Sequence, residues 1–214
     1  MLPTYRTIKA DSLHETEIKK SRFICHLKRV ETEDEAKAFI QAIKKEHWKA
    51  THNCSAFTLG ERQEIQRTSD DGEPSGTAGV PMLEVLKKNE LINVCAVVTR
   101  YFGGIKLGAG GLIRAYAGAV ADGVKKTGIV EGRLQQAIAV TLAYPLWGKL
   151  EQFIETSQIA LQDTQYTDQV TAICMIDKNQ SETFKAQVTD LLNGQVTFKK
   201  GDTRYVEHVI EAPE

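Results

Sequence analysis

An α+β fold in two domains is predicted by three features of this 214-residue chain. A glycine-rich segment at residues 100–116 joins an apolar, β-type run to a helical one inside the first 130 residues. From residue 136 the hydrophobic periodicity alternates in the order β-α-β-β-α-β. Between them, residues 127–135 carry Gly128, Gly132 and Arg133 without a long apolar run, which reads as a boundary. The expected division is a β/α domain over residues 1–130 and a compact second domain over residues 135–214.

Residues 15–30 alternate around Ile18, Phe23 and Cys25 with polar residues between, the pattern of a β-hairpin or a bent strand. Thr32 followed by Glu35 makes a capping box, and Ala36, Phe39, Ile40 and Ile43 form the apolar stripe of the helix it opens. Residues 53–59 read as a strand and residues 68–77 as a polar loop. Pro81 suits the first turn of a short helix through Met82, Val85 and Leu86, which Thr77 is placed to cap. Residues 94–98 form a buried strand, and residues 112–124 carry apolar side chains at helical spacing. In the second domain, strands at 137–143, 159–166, 170–176 and 196–206 interleave with helices at 146–156 and 182–192. That order is a split βαβ, ferredoxin-like arrangement.

The segment Arg100-Tyr-Phe-Gly-Gly-Ile-Lys-Leu-Gly-Ala-Gly-Gly-Leu-Ile-Arg-Ala-Tyr116 places Gly103, Gly104, Gly108, Gly110 and Gly111 in a strand-to-helix turn. Such a turn can set several backbone N–H groups around an oxyanion at a helix N-terminus, and Arg100, Lys106 and Arg114 could add full positive charge. Neither standard phosphate template fits. A P-loop needs Lys-Ser/Thr after its last glycine, where Ala109 and Gly110 follow Gly108; a dinucleotide fingerprint from Gly108 would need glycine where Ile113 stands. The other reading of the same glycines is tight turns and close helix packing.

The loop Thr68-Ser-Asp-Asp-Gly-Glu-Pro-Ser-Gly-Thr77 concentrates Asp70, Asp71 and Glu73 beside Ser75 and Thr77. Carboxylate oxygens of this kind can ligate Mg²⁺, the candidate cofactor, or act as a base. Asp-Gly and Pro-Ser-Gly are also ordinary turn formers. His52 and Cys54 flank Asn53 at the start of a strand, so both point to one face. Two ligands fall short of a zinc site, and the pair reads either as a nucleophile with its base or as a packed histidine beside a buried thiol. Catalytic candidates are thus Asp70, Asp71, Glu73 and His52, with no metal site assigned.

Apolar content of 42% and charged content of 26% are those of an ordinary folded domain. No apolar run approaches the roughly 18 residues of a membrane span, and Met1 opens no charged-then-apolar leader, so the expected location is the cytoplasm. Cys25, Cys54, Cys95 and Cys174 lie far apart, which favours reduced, buried thiols. Residues 133–214 hold 7 Lys and Arg against 11 Asp and Glu, and the rest of the chain 20 against 17. With so mild an asymmetry, any nucleic-acid binding rests on a local patch rather than on the global field.

Three ordered motifs, Ala50-Thr-His-Asn-Cys-Ser-Ala-Phe57, Ser69-Asp-Asp-Gly-Glu-Pro-Ser-Gly-Thr-Ala-Gly79 and the glycine-rich stretch through Tyr116, resemble the IMPACT family in its short bacterial form. The resemblance spans essentially the whole chain. It implies an N-terminal β/α domain like the second domain of small-subunit ribosomal protein five, domain four of elongation factor G and the GHMP kinases. It implies a second domain similar to another elongation factor G module. Residues 106–111 lack the serines of a GHMP-type phosphate loop. Eukaryotic members regulate translation by competing for the activator of a kinase that phosphorylates an initiation factor, so the implied partners are RNA, the ribosome or a translation-associated protein.

Two functions from different classes follow. In the first, Arg100, Lys106 and Arg114 hold RNA phosphates while Tyr101, Phe102 and Tyr116 offer stacking faces. In the second, the glycine turn cradles an oxyanion of a nucleotide or phosphorylated metabolite, with the acidic loop holding Mg²⁺.

Overall fold

The computed structural model describes residues 2–210. They form two compact units: Tyr5–Gly132 with the stretch from His208, and Leu2–Thr4 with Arg133–Glu207.

The first unit is built on a five-stranded antiparallel sheet. Its strands are β2 (Ser12–Ile18), β3 (Ser21–Arg29), β4 (His52–Leu59), β5 (Ile65–Ser69) and β6 (Val94–Tyr101), in the order β2-β3-β6-β4-β5. β2 and β3 are the expected hairpin, joined through Lys19 and Lys20, both at positive φ (47° and 64°). Two left-handed residues match the twist of the flanking strands, as in a type I′ turn. β5 replaces the first part of the expected polar loop. Its Gln66, Arg67 and Thr68 carry no apolar alternation, which is why an edge strand went unmarked.

Period-two alternation along β6 feeds two cores, one on each face of the sheet. Val94, Ala96 and Val98 pack with Cys25, Cys54, Met82, Leu86, Tyr116 and Val120 under α2 (Gly79–Lys88) and α3 (Ala109–Thr127). Cys95 and Val97 pack with Ala36, Ile43 and Phe57 under α1 (Glu33–Glu46). α1 starts as expected: Thr32 Oγ1 accepts from the Glu35 N–H at 3.2 Å, and Glu35 Oε2 accepts from the Glu31 N–H at 2.7 Å. α2 does not start as expected. Thr77 Oγ1 donates to the Pro74 carbonyl at 2.6 Å, and the N–H groups of Ala78 and Gly79 are taken by Asp70 instead.

His26 faces α1 from β3, 5% exposed, with its ring centroid 5.2 Å from that of His47. Burial and the neighbouring imidazole lower its pKa from 6.5 to about 4, with Glu46 partly opposing. The unfolded chain therefore takes up a proton between pH 6.5 and 4 that the folded chain refuses. Neutral His26 leaves stability intact above pH 6.5, and the loss as pH falls through that window reaches about 3 kcal/mol. We expect His26→Leu to flatten this part of the curve when urea unfolding is compared at pH 7 and pH 4.5; an unchanged slope would reject a depressed His26.

The second unit follows the expected β-α-β-β-α-β order. β7 (Ile129–Leu142) lies beside β9 (Val170–Asp177), which pairs antiparallel with β8 (Ala160–Tyr166), and β10 (Thr197–Ile210) pairs with β7 on its other side. In order of appearance these strands stand 4-1-3-2, the ferredoxin-like arrangement. α4 (Trp147–Thr156) and α5 (Ser181–Leu191) cover one sheet face, through Leu150, Ile154, Phe184 and Val188 packed on Ile138, Val140, Ala172 and Cys174. All four cysteines of the chain are free and buried. β1 (Thr4–Ile8), unmarked in the sequence, also pairs with β7. The expected boundary at residues 127–135 is largely the first part of β7. Gly132 sits within that strand because the Tyr5 ring fills the space a Cβ would need.

Candidate nucleic-acid interface

The glycine-rich segment leaves β6 at Tyr101, runs irregularly through residues 102–108 and enters α3 at Ala109. Gly108 caps that helix at φ 71° without any side-chain acceptor. The first N–H groups of a helix have no partner within it, and no side chain among the described residues caps this one, so Ala109, Gly110 and Gly111 present donors at the positive helix end. A Cβ at Gly104, Gly108 or Gly110 would meet nothing within 4 Å, so these backbones are approachable. Gly103 has a different task. A Cβ there would overlap the Lys20 carbonyl and crowd the Ser21 N–H, so its glycine permits contact between the loop and the β2–β3 turn.

Lys106 and Arg114 are exposed beside this backbone, together with Phe102 (46%), Ile105 (42%) and Ile113 (42%). Arg114 stands four residues after Gly110, one turn along the same face of α3, and helical side chains lean toward the N-terminus. The loop is tied on two sides: the Gly103 N–H donates to Ser21 Oγ at 3.2 Å, and the Phe102 N–H donates to Thr51 Oγ1 at 3.1 Å. These ties bring up residues the sequence reading did not single out. Lys19 and Lys20 sit exposed at the adjoining turn, and Trp48, 73% exposed, carries Lys49 Nζ 5.0 Å from its ring centre. Paired lysines at a hairpin tip are visible in a sequence; their approach to a loop some eighty residues away is not.

Two of the expected ligand-binding residues point inward. Arg100 is 5% exposed, and its Nη1 donates to Glu73 Oε1 at 2.6 Å while its guanidinium lies over the Phe23 and Phe102 rings. Tyr116 is fully buried and donates to the same Glu73 oxygen at 2.8 Å. Neither can meet a phosphate or a base without unmaking this cluster, so Arg100 and Tyr116 are structural here. Tyr101 is half-buried, its hydroxyl 2.9 Å from His47 Nδ1 and its ring 5.4 Å from the Arg22 guanidinium.

The acidic loop is likewise engaged by protein donors. Asp70 accepts from the N–H groups of Gly76 (2.8 Å), Ala78 (3.1 Å) and Gly79 (2.8 Å). Burial raises its carboxyl, and these backbone donors more than offset that, leaving it below the ordinary value. Asp71 accepts from Lys44 Nζ and the Asn53 N–H, each at 2.6 Å; burial opposes its ionisation and these donors overcome it. Ser75 is exposed. His52 Nδ1 lies 2.8 Å from the Asp71 carbonyl, so that nitrogen carries the hydrogen, while Nε2 stands 3.8 Å from Glu73 Oε2. Cys54 donates to the Asp70 carbonyl at 3.0 Å, and burial pushes its thiol up to about 12, which removes the thiolate a nucleophile needs. Among the described residues no three His, Cys, Asp or Glu side chains are grouped to hold a metal ion. No helix among the described residues is long and apolar enough to cross a membrane.

Residues 19–124 match the Impact N-terminal domain, and residues 140–195 match a domain of unknown function, DUF1949. The chain is 51% identical to IMPACT family member YvyE of Bacillus subtilis (strain 168) over 98% of this chain and 97% of that protein. It is 35% identical to an IMPACT family member of Haemophilus influenzae, over 91% and 96%. A Dictyostelium discoideum protein named Protein IMPACT homolog is 40% identical over 42% of this chain and 27% of its own length. A crystal structure of a hypothetical protein matches at a TM-score of 0.59 and 30% identity, covering 92% of this chain and 97% of that one.

Proposed function

The chain belongs to the IMPACT family, and on that premise we propose that it is a translation-linked regulator that binds RNA, on its own or within the ribosome, through the glycine-rich loop. The observation that carries this reading is the uncapped N-terminus of α3, with open glycine backbone, exposed Lys106 and Arg114, and lysines of the neighbouring turn. Backbone donors and mobile cations suit phosphate oxygens, while exposed Phe102 and Trp48 offer faces for unstacked bases. The surface reads no sequence by itself, since it presents no arrangement of side chains matched to base edges. The Mg²⁺-dependent alternative needs carboxylates free to ligate, and Asp70, Asp71 and Glu73 already accept from protein donors.

Fluorescence anisotropy with a short single-stranded RNA at several salt concentrations tests the proposal. The logarithm of affinity should fall linearly with the logarithm of salt concentration, and Lys106→Ala should reduce the magnitude of that slope by about 0.7, one phosphate's worth on a single strand. Salt-independent binding, or an unchanged slope in both Lys106→Ala and Lys20→Ala, would reject it. ATP with Mg²⁺ in the same plate tests the alternative.

A further inference from the structure

The second unit's helices cover one face of its sheet, and the other face holds a cavity of about 320 Å³. Its floor is apolar and low: Ala137 and Ala139 from β7 lie beside Ile173 and Met175 from β9. Two alanines side by side leave the hollow where larger strand residues would fill it. Five polar residues stand around this floor. Lys199 and Arg204 from β10 line the cavity, and neither has an ion-pair partner among the described residues. Lys200 also lines it, but its Nζ is 3.2 Å from Glu182 Oε1, so its charge is already matched.

The fourth is Gln162. The register of β8 against β9 shifts between Leu161 and Asp163, which leaves Gln162 as the extra residue of a bulge. A bulge turns its residue away from the regular alternation; Gln162 lines the cavity, and its amide makes no hydrogen bond among the described residues. An amide offers two donors and an acceptor, enough to read a heteroaromatic edge or a ribose. Asp202 at the same rim adds an acceptor for hydroxyl or amino groups.

The geometry points to a binding site for a nucleoside monophosphate on this open sheet face. The base would lie on the Ile173–Met175 floor, Gln162 would bond its edge, and Arg204 with Lys199 would hold the phosphate. The volume is that of a small-molecule site rather than a macromolecular groove, and the two unpaired cations select an anion. The site is independent of the glycine-rich loop.

Isothermal titration of the full chain with AMP and CMP, against inorganic phosphate and adenosine, tests the assignment. A nucleoside monophosphate should bind at least tenfold more tightly than phosphate or adenosine alone. Arg204→Ala should weaken that binding about tenfold, and Ala139→Phe, which fills the hollow, should abolish it with thermal stability retained. Lys106→Ala should leave it unchanged, which separates this site from the RNA reading. No nucleotide binding, or equal binding by wild type, Arg204→Ala and Ala139→Phe, would overturn the proposal. So would a dimer of the wild-type chain in size-exclusion chromatography that Ala139→Phe dissociates, since a second copy would then occupy the face.

Discussion

Glu73→Ala is expected to destabilise the first unit by about 3–5 kcal/mol, the cost of leaving a buried charge without its partner. Glu73 Oε1 accepts from both Arg100 Nη1 and the Tyr116 hydroxyl, and the side chains of the Glu73–Arg100 pair are 3% and 6% exposed. Removing the carboxylate strands a guanidinium in an apolar core and orphans a phenol that burial already holds firmly protonated. The Arg100 Nε has no partner even in the intact cluster, so the cationic side chain depends on Glu73 all the more. Replacing both partners together, Glu73→Gln with Arg100→Met, should recover much of the loss, because no uncompensated charge remains. Calorimetry of the double variant beside Glu73→Gln alone and Arg100→Met alone reads the coupling. A loss below about 1 kcal/mol for Glu73→Ala, near the cost of one ordinary hydrogen bond, would mean that the pair is not buried as described.

Gly103→Ala is the second large effect, about 2–3 kcal/mol of destabilisation of the kind that overpacking produces. The atoms a new Cβ would meet are the Lys20 carbonyl and the Ser21 amide, all backbone, so no rotamer change relieves the overlap. Either the β2–β3 turn or the loop after β6 must move, carrying Lys20 away from Lys106. RNA affinity should therefore fall beyond what lost stability explains. Gly110→Ala is the control, since its Cβ enters open space at the start of a helix. Equal stability of the two alanine variants would contradict the close approach at Gly103.

Much of the fold is legible in periodicity. The hairpin, the capping box of α1, the glycine turn and the βαββαβ order all announce themselves through spacing of two or 3.6. β1 and β5 do not, being short and carrying arginine and other polar residues, and β7 was obscured because Gly132 and Arg133 look like a linker. The candidate site was legible as a segment, but not in its division of labour. Arg100 continues the Val94, Ala96, Val98 alternation toward α3, and Tyr116 continues the Leu112, Ala115, Ala119 stripe of α3. Both patterns signalled burial, and charge and aromaticity in a glycine-rich context suggested exposure instead. What no pattern could supply is the partner, since Glu73 lies 27 residues before Arg100 and 43 before Tyr116. The acidic loop likewise looked like a cation site because its donors come from elsewhere: Lys44, Asn53 and the first turn of α2.

The central claim is that anionic RNA meets the start of α3 and not the buried Glu73 cluster. Amide chemical shifts of the isotope-labelled chain, followed while a short single-stranded RNA is titrated in, test it most directly. The account predicts that the N–H resonances of Ala109, Gly110 and Gly111 move first and farthest, with Lys20 and Phe102 following, while those of Glu73 and Tyr116 stay in place. Shifts centred on residues 70–79, or none at the start of α3 under saturating RNA, would contradict it.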